Sequence, residues 1–259
     1  MMTHEKYLKK LKRNKRIISY IQILIFVLII VLWELFTKIN IIDEFIFSSP
    51  SKIFKLLLRY IKDGSLYQHL LTSTLEVLIG LLIASIIGIV IAILMYEFPV
   101  FAKVIDPFLV VFNALPKTAL APILIIWIGA NIKGIIFVAI SISIIITILN
   151  AYKAFKDIEE EKIKLFKTFG ANKIDILFHL IIPGSKEALT NIIKINIGMS
   201  WIGVITGEFI VSKAGIGYLI MYGGQVFNMH LVMMGVFVLA IISFLMYKII
   251  DILEKRLRK

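Results

Sequence analysis

Six long apolar stretches constrain this chain more than any other feature of its sequence. A helix needs about 20 mainly apolar residues to cross the hydrocarbon layer of a membrane, and each stretch is close to that length. The chain is 59% hydrophobic and 18% charged, whereas a soluble domain is roughly half apolar and a quarter charged. We therefore predict an all-α membrane protein, a polytopic bundle of about six transmembrane helices. The stretches cover residues 17–39, 69–96, 104–128, 132–150, 187–211 and 230–252.

The third stretch is interrupted by Pro107, Pro116 and Pro122. Proline removes a backbone donor and kinks or breaks a helix. The stretch can therefore form one kinked helix or two half-helices, and a strict count gives five or seven spans. The predicted divisions of the chain are a basic N-terminus (1–16), a first transmembrane helix (17–39), an interfacial helix (49–63), a transmembrane core (69–252) with a long loop (151–186), and a basic tail (253–259).

The net charge of +12 sits mostly at one end of these predicted helices. Lys and Arg accumulate in residues 1–16, in the long loop and in the tail. Because cytoplasmic loops carry an excess of Lys and Arg, we predict that both termini are cytoplasmic. A nucleic-acid-binding protein could carry this charge but not this hydropathy. The basic N-terminal residues are Lys6, Lys9, Lys10, Lys12, Arg13, Lys15 and Arg16.

Several kinds of chemistry find no support in the sequence. The chain has no cysteine, which excludes disulfides and thiol-ligated metals. It has no phosphate-binding Gly-x-x-x-x-Gly-Lys-Ser/Thr loop, so it does not bind and hydrolyse ATP in the P-loop manner by itself. We predict no catalytic residue and no metal site.

A short amphipathic helix is predicted over residues 49–63. Ser49 is suited to the N-cap, Pro50 to the first helical position, and Gly64 to the stop. An apolar face at helical spacing, with basic residues elsewhere, is typical of a helix that lies in the membrane interface. The apolar face is formed by Ile53, Leu56, Leu57, Tyr60 and Ile61.

Small residues recur at every fourth position of two stretches, a spacing that lets helices pack closely in membranes. The pattern suits packing within the chain, and also a subunit interface. The residues are Gly80, Ala84, Gly88 and Ala92 in the second stretch and Gly203 and Gly207 in the fifth.

Polar residues inside the stretches are candidates for a transport path, because charges in a membrane usually face a cavity or a partner. Glu76 and Glu208 lie near the outer ends, where water can also solvate them, and Lys194 lies near the cytoplasmic edge. Lys117 follows Pro116, and two prolines six residues apart free carbonyls, as in the broken helices that line transport paths. A purely structural kink is the alternative. The predicted path residues are Asn113, Pro116, Lys117, Ser200 and Glu208.

The loop 151–186 is longer than a helix bundle requires. We expect Asp157 to cap a first helix that Gly170 ends, and Asn172 to cap a second helix that Pro183 closes. We call residues 157–183 the elbow. Such an elbow can lie on the bilayer, or it can transmit motion from a soluble motor to the membrane helices.

The elbow resembles the cytoplasmic loop of binding-protein-dependent ABC importer permeases. That family has Glu-Ala-Ala, three residues, Gly, nine residues, then Ile-x-Leu-Pro; anchored on Gly170, this chain has Leu180, Ile182 and Pro183 at the last three positions. Further motifs resemble the nitrate/sulfonate/taurine branch of the family. They are Ser48–Ser51, Asp106-Pro107, Leu115-Pro116, Ala121-Pro122, Trp127–Gly129, Gly207-Glu208 and Gly215–Ile220.

The resemblance implies a permease subunit of an ATP-driven importer in a bacterial inner membrane, working by alternating access. It implies two ATPase subunits that carry the ATP and Mg, a second copy of this chain, and an extracellular binding protein or lipoprotein. No cofactor in this chain and no nucleic acid is implied. The implied ATPase-coupling residues are Lys164, Leu165, Phe166, Phe169, Gly170, Asp175 and Pro183.

The chain departs from the family pattern in its charges. Lys164, Leu165 and Phe166 replace Glu-Ala-Ala, and Glu76 stands where members of the branch often have Arg. Lys117 favours an anionic solute such as a sulfonate or nitrate, although the branch also includes carriers of vitamin precursors. The alternatives are an ATP-independent secondary transporter or channel, and a scaffold subunit of a membrane enzyme.

Overall fold

The computed structural model describes residues 4–257, with the side chains of residues 13, 14 and 16–256. This part of the chain is built from helices and has no strand, as the sequence predicts. The helices are α1 His4–Lys38, α2 Glu44–Phe47, α3 Pro50–Lys62, α4 Ser65–Glu97, α5 Pro99–Ala114, α6 Lys117–Ile128, α7 Ile132–Lys156, α8 Glu160–Thr168, α9 Lys173–Ile176, a π-helix Leu177–Ile181, α10 Ile182–Gly184, α11 Lys186–Val211, α12 Ile216–Gln225 and α13 Met229–Leu257. The side chains of Lys6, Lys9, Lys10, Lys12 and Lys15, and all of Arg258 and Lys259, lie outside the described residues.

The centre of the bundle is α7, which packs between α4 and α11. A Cβ atom added to Gly80 on α4 would lie 3.0 Å from the Cβ of Ala139. Gly203 on α11 faces the backbone of the same Ala139, where an added Cβ would lie 2.9 Å from its nitrogen. Gly88 on α4 contacts Thr147, which lies eight residues, about two turns, after Ala139 on α7. The small-residue stripes thus bring three backbones together within one chain, which side chains at these positions would prevent.

The order of these contacts gives the direction of each helix. The partners of α4 on α7 move forward along the chain, from Ala139 opposite Gly80 to Thr147 opposite Gly88, so α4 and α7 run parallel. The chain between them must therefore return to the end at which α4 began. The segment that returns is α5 and α6, two helices that bend by 103° at their junction.

The junction decides between the two forms that the sequence allows for the third stretch. It forms two half-helices, with the break at Leu115 and Pro116. Pro107 and Pro122 lie inside α5 and α6 and do not end them. Within residues 4–257, five unbroken helices are long and apolar enough to cross a membrane, and the broken pair makes six if it is counted as one span. A bundle of five or six spans agrees with the predicted fold class.

A row of buried polar side chains, which we call the polar seam, joins the three central helices. Asn196 on α11 donates to the Thr147 hydroxyl at 2.7 Å and to the Ser85 hydroxyl at 3.1 Å. The hydroxyls of Ser143 and Ser200 are 3.2 Å apart. These groups are buried where lipid offers no water, so protein groups must satisfy them; Ser143 and Thr147 also donate to carbonyls of α7 itself. The seam sets the register of α11 against α4 and α7.

Helix α3 is present where the sequence predicts an interfacial helix, and hydrogen bonds tie its start to its neighbours. The backbone N–H of Ser51 donates to Glu34 of α1 at 3.0 Å, and the hydroxyl of Ser48 lies 2.7 Å from the Nδ1 of His230 on α13. Lys52 pairs with Glu44 at 2.8 Å. Hydrogen bonds from Lys52 and Ser49 lower the pKa of Glu44. The position of α3 in the membrane interface stays a prediction.

Lys194 of α11 is held between two carboxylates of α13. Its ammonium group lies 3.0 Å from Asp251 and 2.6 Å from Glu254. The three side chains are between 10% and 20% exposed. Lys194 is therefore neutralised inside the bundle, by carboxylates of α13 that lie 57 and 60 residues later in the chain.

We expect Gly203→Ala to destabilise the bundle, because the added methyl group meets the backbone of Ala139, which cannot move aside as a side-chain tip can. Overpacking of this kind costs about 1–3 kcal/mol. Gly198→Ala on the same helix is the matched control, since an added Cβ there meets nothing within 4 Å. The measurement is the thermal unfolding midpoint of each purified variant in detergent. Equal midpoints for the two variants would contradict the close contact.

We expect Lys194→Met to lower the thermal midpoint more than Lys255→Met does. Both lysines pair with Asp251, but the Lys255 side chain is 71% exposed and that of Lys194 only 12%. Exposed pairs contribute little, whereas removing the cation from a sheltered group of acids leaves like charges together. An equal or larger effect of the Lys255 variant would contradict the described geometry.

Candidate coupling elbow and transport path

The first helix of the elbow ends at Gly170, as the sequence predicts. Gly170 has φ +80°, the left-handed conformation that glycine adopts without a Cβ penalty. The N–H of Gly170 donates to the carbonyl of Lys167 at 3.0 Å, and that of Ala171 donates to Phe166 at 3.1 Å. These two bonds form a Schellman motif, which satisfies the last carbonyls of α8.

The start of this helix is predicted wrongly. Asp157 is the C-cap of α7, not an N-cap, and α8 begins at Glu160. The span helix α7 continues through Lys156, where Ala151, Ala154 and Phe155 are buried, and its last turn carries Lys153 and Lys156, which are favourable at a helix C-terminus. The first helix of the elbow is therefore shorter than predicted, and the elbow follows the end of α7 directly.

The second helix of the elbow starts with a capping box. The side chain of Asn172 accepts from the N–H of Asp175 at 2.9 Å, and the side chain of Asp175 accepts from the N–H of Asn172 at 3.0 Å. Asn172 is thus the predicted N-cap. Asp175, predicted to take part in coupling, is engaged in holding this turn.

Pro183 does not close the second helix, contrary to the prediction. The chain stays helical through Gly184, and the break before α11 falls at Ser185. A π-turn over residues 177–181 precedes the proline, with the N–H of Ile182 bonded to Leu177. A proline lacks an N–H for the carbonyl four residues earlier, and a wide turn of this kind accommodates that gap within the helix.

The base of the elbow is packed into the ends of the long helices. Phe155 of α7 is fully buried and meets Tyr96 of α4 edge-on, with ring centroids 6.2 Å apart. Ile176, Ile181 and Ile192 complete this core. The Ser185 hydroxyl donates to the carbonyl of Ala154 at 3.1 Å. A force on the elbow is therefore transmitted to α4, α7 and α11 together.

The exposed surface of the elbow carries four large apolar side chains among charged ones. Phe169 is 82% exposed. Exposed apolar groups of this size commonly mark a protein interaction site. We call the four large exposed apolar side chains the elbow patch: Leu165, Phe169, Ile174 and Phe178.

The predicted coupling residues separate into two groups in the structure. Leu165 and Phe169 lie in the elbow patch, and Lys164 is exposed beside them with a weak contact of 3.8 Å to Glu160. Phe166 packs inward against the base. Ile174 and Phe178 were not among the predicted site residues. The two residues are four positions apart, a spacing that indicates an apolar face of a helix. The spacing alone does not tell whether that face is buried or exposed.

At the break between α5 and α6, Lys117 bridges the two helices. Its ammonium group donates to the Asn113 side-chain oxygen at 3.2 Å and to the Asn113 carbonyl at 3.4 Å. Pro116 has no backbone N–H, so it cannot donate to a carbonyl of the preceding turn. Three predicted path residues thus form one local unit, in which the charge of Lys117 satisfies a carbonyl that the break leaves free.

The other two predicted path residues lie elsewhere. Ser200 is fully buried in the polar seam against Ser143. Glu208 is 1% exposed, and it accepts hydrogen bonds from the Ser73 hydroxyl and the Gly217 N–H, each at 2.5 Å. Glu76 is 2% exposed. The expectation that water solvates Glu76 and Glu208 is therefore wrong: both carboxyls are enclosed where α4, α11 and α12 meet.

A comparison with known protein families places most of the chain in one of them. Residues 84–259 match the model of the family described as binding-protein-dependent transport system inner membrane component. The matched segment contains the break, the elbow and the three helices that follow it.

Curated relatives are similar over nearly the whole chain. The taurine transport system permease protein TauC of Escherichia coli (strain K12) is 25% identical over 237 residues, which cover 89% of this chain and 86% of that protein. The riboflavin transport system permease protein RibX of Chloroflexus aurantiacus is 26% identical over 230 residues, with 89% and 86% covered.

A solved structure shares the fold. It is the MetNI methionine ABC transporter in an inward-facing conformation, with a TM-score of 0.64, 14% identity, and coverage of 71% of this chain and 92% of that chain. At this identity the likeness bears on the fold alone.

Proposed function

Because the chain belongs to the family of binding-protein-dependent transport system inner membrane components, we propose that ATP hydrolysis in separate partner subunits drives the transport it carries out. The chain is the membrane-spanning permease of an ABC importer, a multi-pass protein of the inner membrane. The family implies an ATPase and a solute-binding protein as partners. The two ATPase subunits, with their ATP and Mg, and the second permease copy belong to the proposal.

The elbow carries this proposal. Its tip presents an apolar patch outside the spans, and its base is packed against three long helices. A segment that only lies on the bilayer needs no such base. A motor that binds the patch and changes shape moves α4, α7 and α11 as one body.

The same geometry supports a cytoplasmic location for both termini. The elbow, the C-terminal end of α4 and the ion pairs that join Lys194 of α11 to α13 lie at one end of the bundle. An ATPase requires cytoplasmic ATP, so the end that carries the elbow is the cytoplasmic end. The excess of Lys and Arg in the elbow and the tail agrees with this orientation.

A second copy of the chain is proposed to complete the transport path. The glycine stripes are used within the chain, so they do not supply the contact between copies. The broken pair α5–α6 presents large apolar side chains, with Ile126 and Trp127 at least 75% exposed. Two copies that face each other across these broken helices enclose a path between them, with Lys117 at its wall.

Transport then follows from differential binding. The ATPase pair binds one arrangement of the elbows more tightly when it holds ATP and the other when it does not. A ligand shifts a conformational equilibrium only by its difference in affinity for the two states, so ATP binding and release alternate the access of the path. The free energy of the cycle comes from hydrolysis in the partner.

Lys164 changes the charge that this chain offers the motor. The resemblance implies a Glu at this position that pairs with the ATPase surface. Here Lys164 and Glu160 are both more than 70% exposed, so each is available to a partner. We propose that the ATPase that serves this chain carries an acidic residue opposite Lys164.

The solute is proposed to be a small anion such as a sulfonate or nitrate. Lys117 supplies a positive charge at the break, and a relative of this chain is named as a taurine permease. A neutral or aromatic solute, such as a vitamin precursor, is the second candidate, because another relative is named as a riboflavin permease.

We expect Gly170→Val to lower solute import per ATP hydrolysed by at least about tenfold. A β-branched residue at φ +80° is strained, so the end of α8 and the patch residue Phe169 move. Gly170→Asn is the matched control, because Asn tolerates the left-handed region. The assay uses vesicles that contain the permease, its ATPase and its binding protein.

Two results of that assay would count against the proposed function. Unimpaired import by the Gly170→Val variant would show that the elbow does not couple ATP hydrolysis to transport. Import by the permease alone, without ATP or ATPase, would favour the secondary transporter or channel.

We expect Lys117→Gln to reduce import of a sulfonate about tenfold or more without loss of folded protein. Gln can still donate to the Asn113 carbonyl but carries no charge, so it separates the anion-attracting role from the bridging role. Lys133→Gln, at an exposed position at the start of α7, is the control. Retained sulfonate import, or import of a neutral solute only, would contradict the anion proposal.

A further inference from the structure

Two acidic side chains are enclosed together within the bundle, at the junction of α4, α11 and α12. Glu76 is 2% exposed and Glu208 is 1% exposed. Glu76 lies three residues, about one helical turn, after Ser73 on α4, and the Ser73 hydroxyl donates to Glu208 at 2.5 Å, so the two carboxyls are neighbours. Neither belongs to the elbow or to the break, so the proposed function leaves this pair unexplained.

The two carboxyls have very different surroundings. Glu208 is held by two donors: the Ser73 hydroxyl on one oxygen and the Gly217 N–H at the start of α12 on the other. The hydroxyl of Ser73 in turn accepts from the N–H of Ile216 at 2.7 Å. Glu208 is thus fitted to be a carboxylate. Neither oxygen of Glu76 is reached by an N–H or O–H donor of another described residue.

No positive charge neutralises the pair. The ion pairs formed by the described residues include neither Glu76 nor Glu208. Two adjacent carboxylates in a buried site repel each other, and each loses its hydration. A proton bound by Glu76 removes the repulsion and the cost of burying the Glu76 charge, and the neutral acid can donate a hydrogen bond to the Glu208 carboxylate.

The elements packed around the pair contribute few groups that titrate. His69 of α4 accepts from the N–H of Gly215 at 3.0 Å and stacks on Tyr218 of α12. Helix α7 contributes apolar residues such as Ile135 at this level, and α13 contributes Leu231 and Met234. Further titratable or charged groups at this end include Tyr60 of α3, Tyr222 of α12, which stacks on Tyr218, His230 of α13, the Lys52–Glu44 pair, and the exposed Arg59, Asp63, Lys133 and Lys213.

We propose that Glu76 and Glu208 form a proton-binding site, in which one proton held between the two carboxyls joins α4 to α11. Glu208 also holds the first turn of α12, so the bound proton connects three elements. Release of the proton places two negative charges together and loosens α4 from α11 and α12. This inference does not rest on the proposed transport function.

The test compares the wild-type chain with Glu76→Gln over pH 6 to 9, with thermal unfolding in detergent as the readout. The folded wild type holds a proton that the unfolded chain has released, so its midpoint falls as pH rises. Gln is neutral at every pH and donates to Glu208. We expect the wild-type midpoint to fall relative to that of the variant by about 3 °C per pH unit once the unfolded chain has lost its proton.

Glu44→Gln is the matched control, because it removes a half-buried acid outside the spans that already has a cation, Lys52, as its partner; it should keep the pH dependence of the wild type. An identical pH dependence for the wild type and Glu76→Gln would overturn the proposal. In a second comparison, Na⁺ or K⁺ in the buffer is replaced by a bulky organic cation. A change in the wild-type midpoint would also overturn the proposal, because a metal cation would then occupy the site.

Infrared spectroscopy gives a second readout that depends on the wild type alone. A protonated carboxyl absorbs above the amide band, and the wild type at neutral pH should show this band. We expect the band to disappear at alkaline pH, to be missing in Glu76→Gln and to remain in Glu44→Gln. A wild type without the band at neutral pH would overturn the proposal whether or not the variant folds.

Discussion

The contact of α7 with α4 and α11 is the constraint on which the rest of the structure depends. Lipid provides no hydrophobic driving force between helices, so close backbone packing and buried hydrogen bonds must hold them together. The glycines facing Ala139 supply the first, and the seam around Asn196 supplies the second. Because α4 and α7 run parallel, this contact also requires the chain between them to return, and it does so through the pair α5 and α6, which is broken at Pro116.

The same contact explains how the elbow can act at a distance. An elbow on a flexible loop would absorb a push, but this one starts directly after α7 and ends directly before α11. Its core contains Phe155 and Ile192, which belong to those two helices, and Tyr96 of α4 lies against Phe155. We therefore propose that a displacement at Phe169 moves the central helices with it.

Local signals could be read correctly from the sequence, and contacts between distant segments could not. The spans follow from the length of apolar runs, and Gly170 and Asn172 from the conformations that helix ends need. Asp157 was misplaced because an acidic residue suits a first turn wherever the helix begins, and only packing decides that α7 extends to Lys156. Pro183 was expected to stop a helix, but a wide turn before it keeps the chain helical. The pairs of Lys194 involve residues more than 50 positions away, so no local pattern indicates them.

The buried charges divide by the same physics. Lys194 stays charged, because Asp251 and Glu254 surround it and the group lies close to the cytoplasmic end. Lys117 lies beside the break in the backbone, where the side chain and the carbonyl of Asn113 accept its hydrogen bonds. A solute that binds Lys117 must compete with Asn113 for these donors. Among the described residues, Glu76 has neither a cation nor a hydrogen-bond donor beside it. A bound proton is the simplest species that neutralises its carboxylate. The charges of this chain are therefore best understood by what each can pair with inside the bundle, and the ones with incomplete partners are where transport and pH are expected to act.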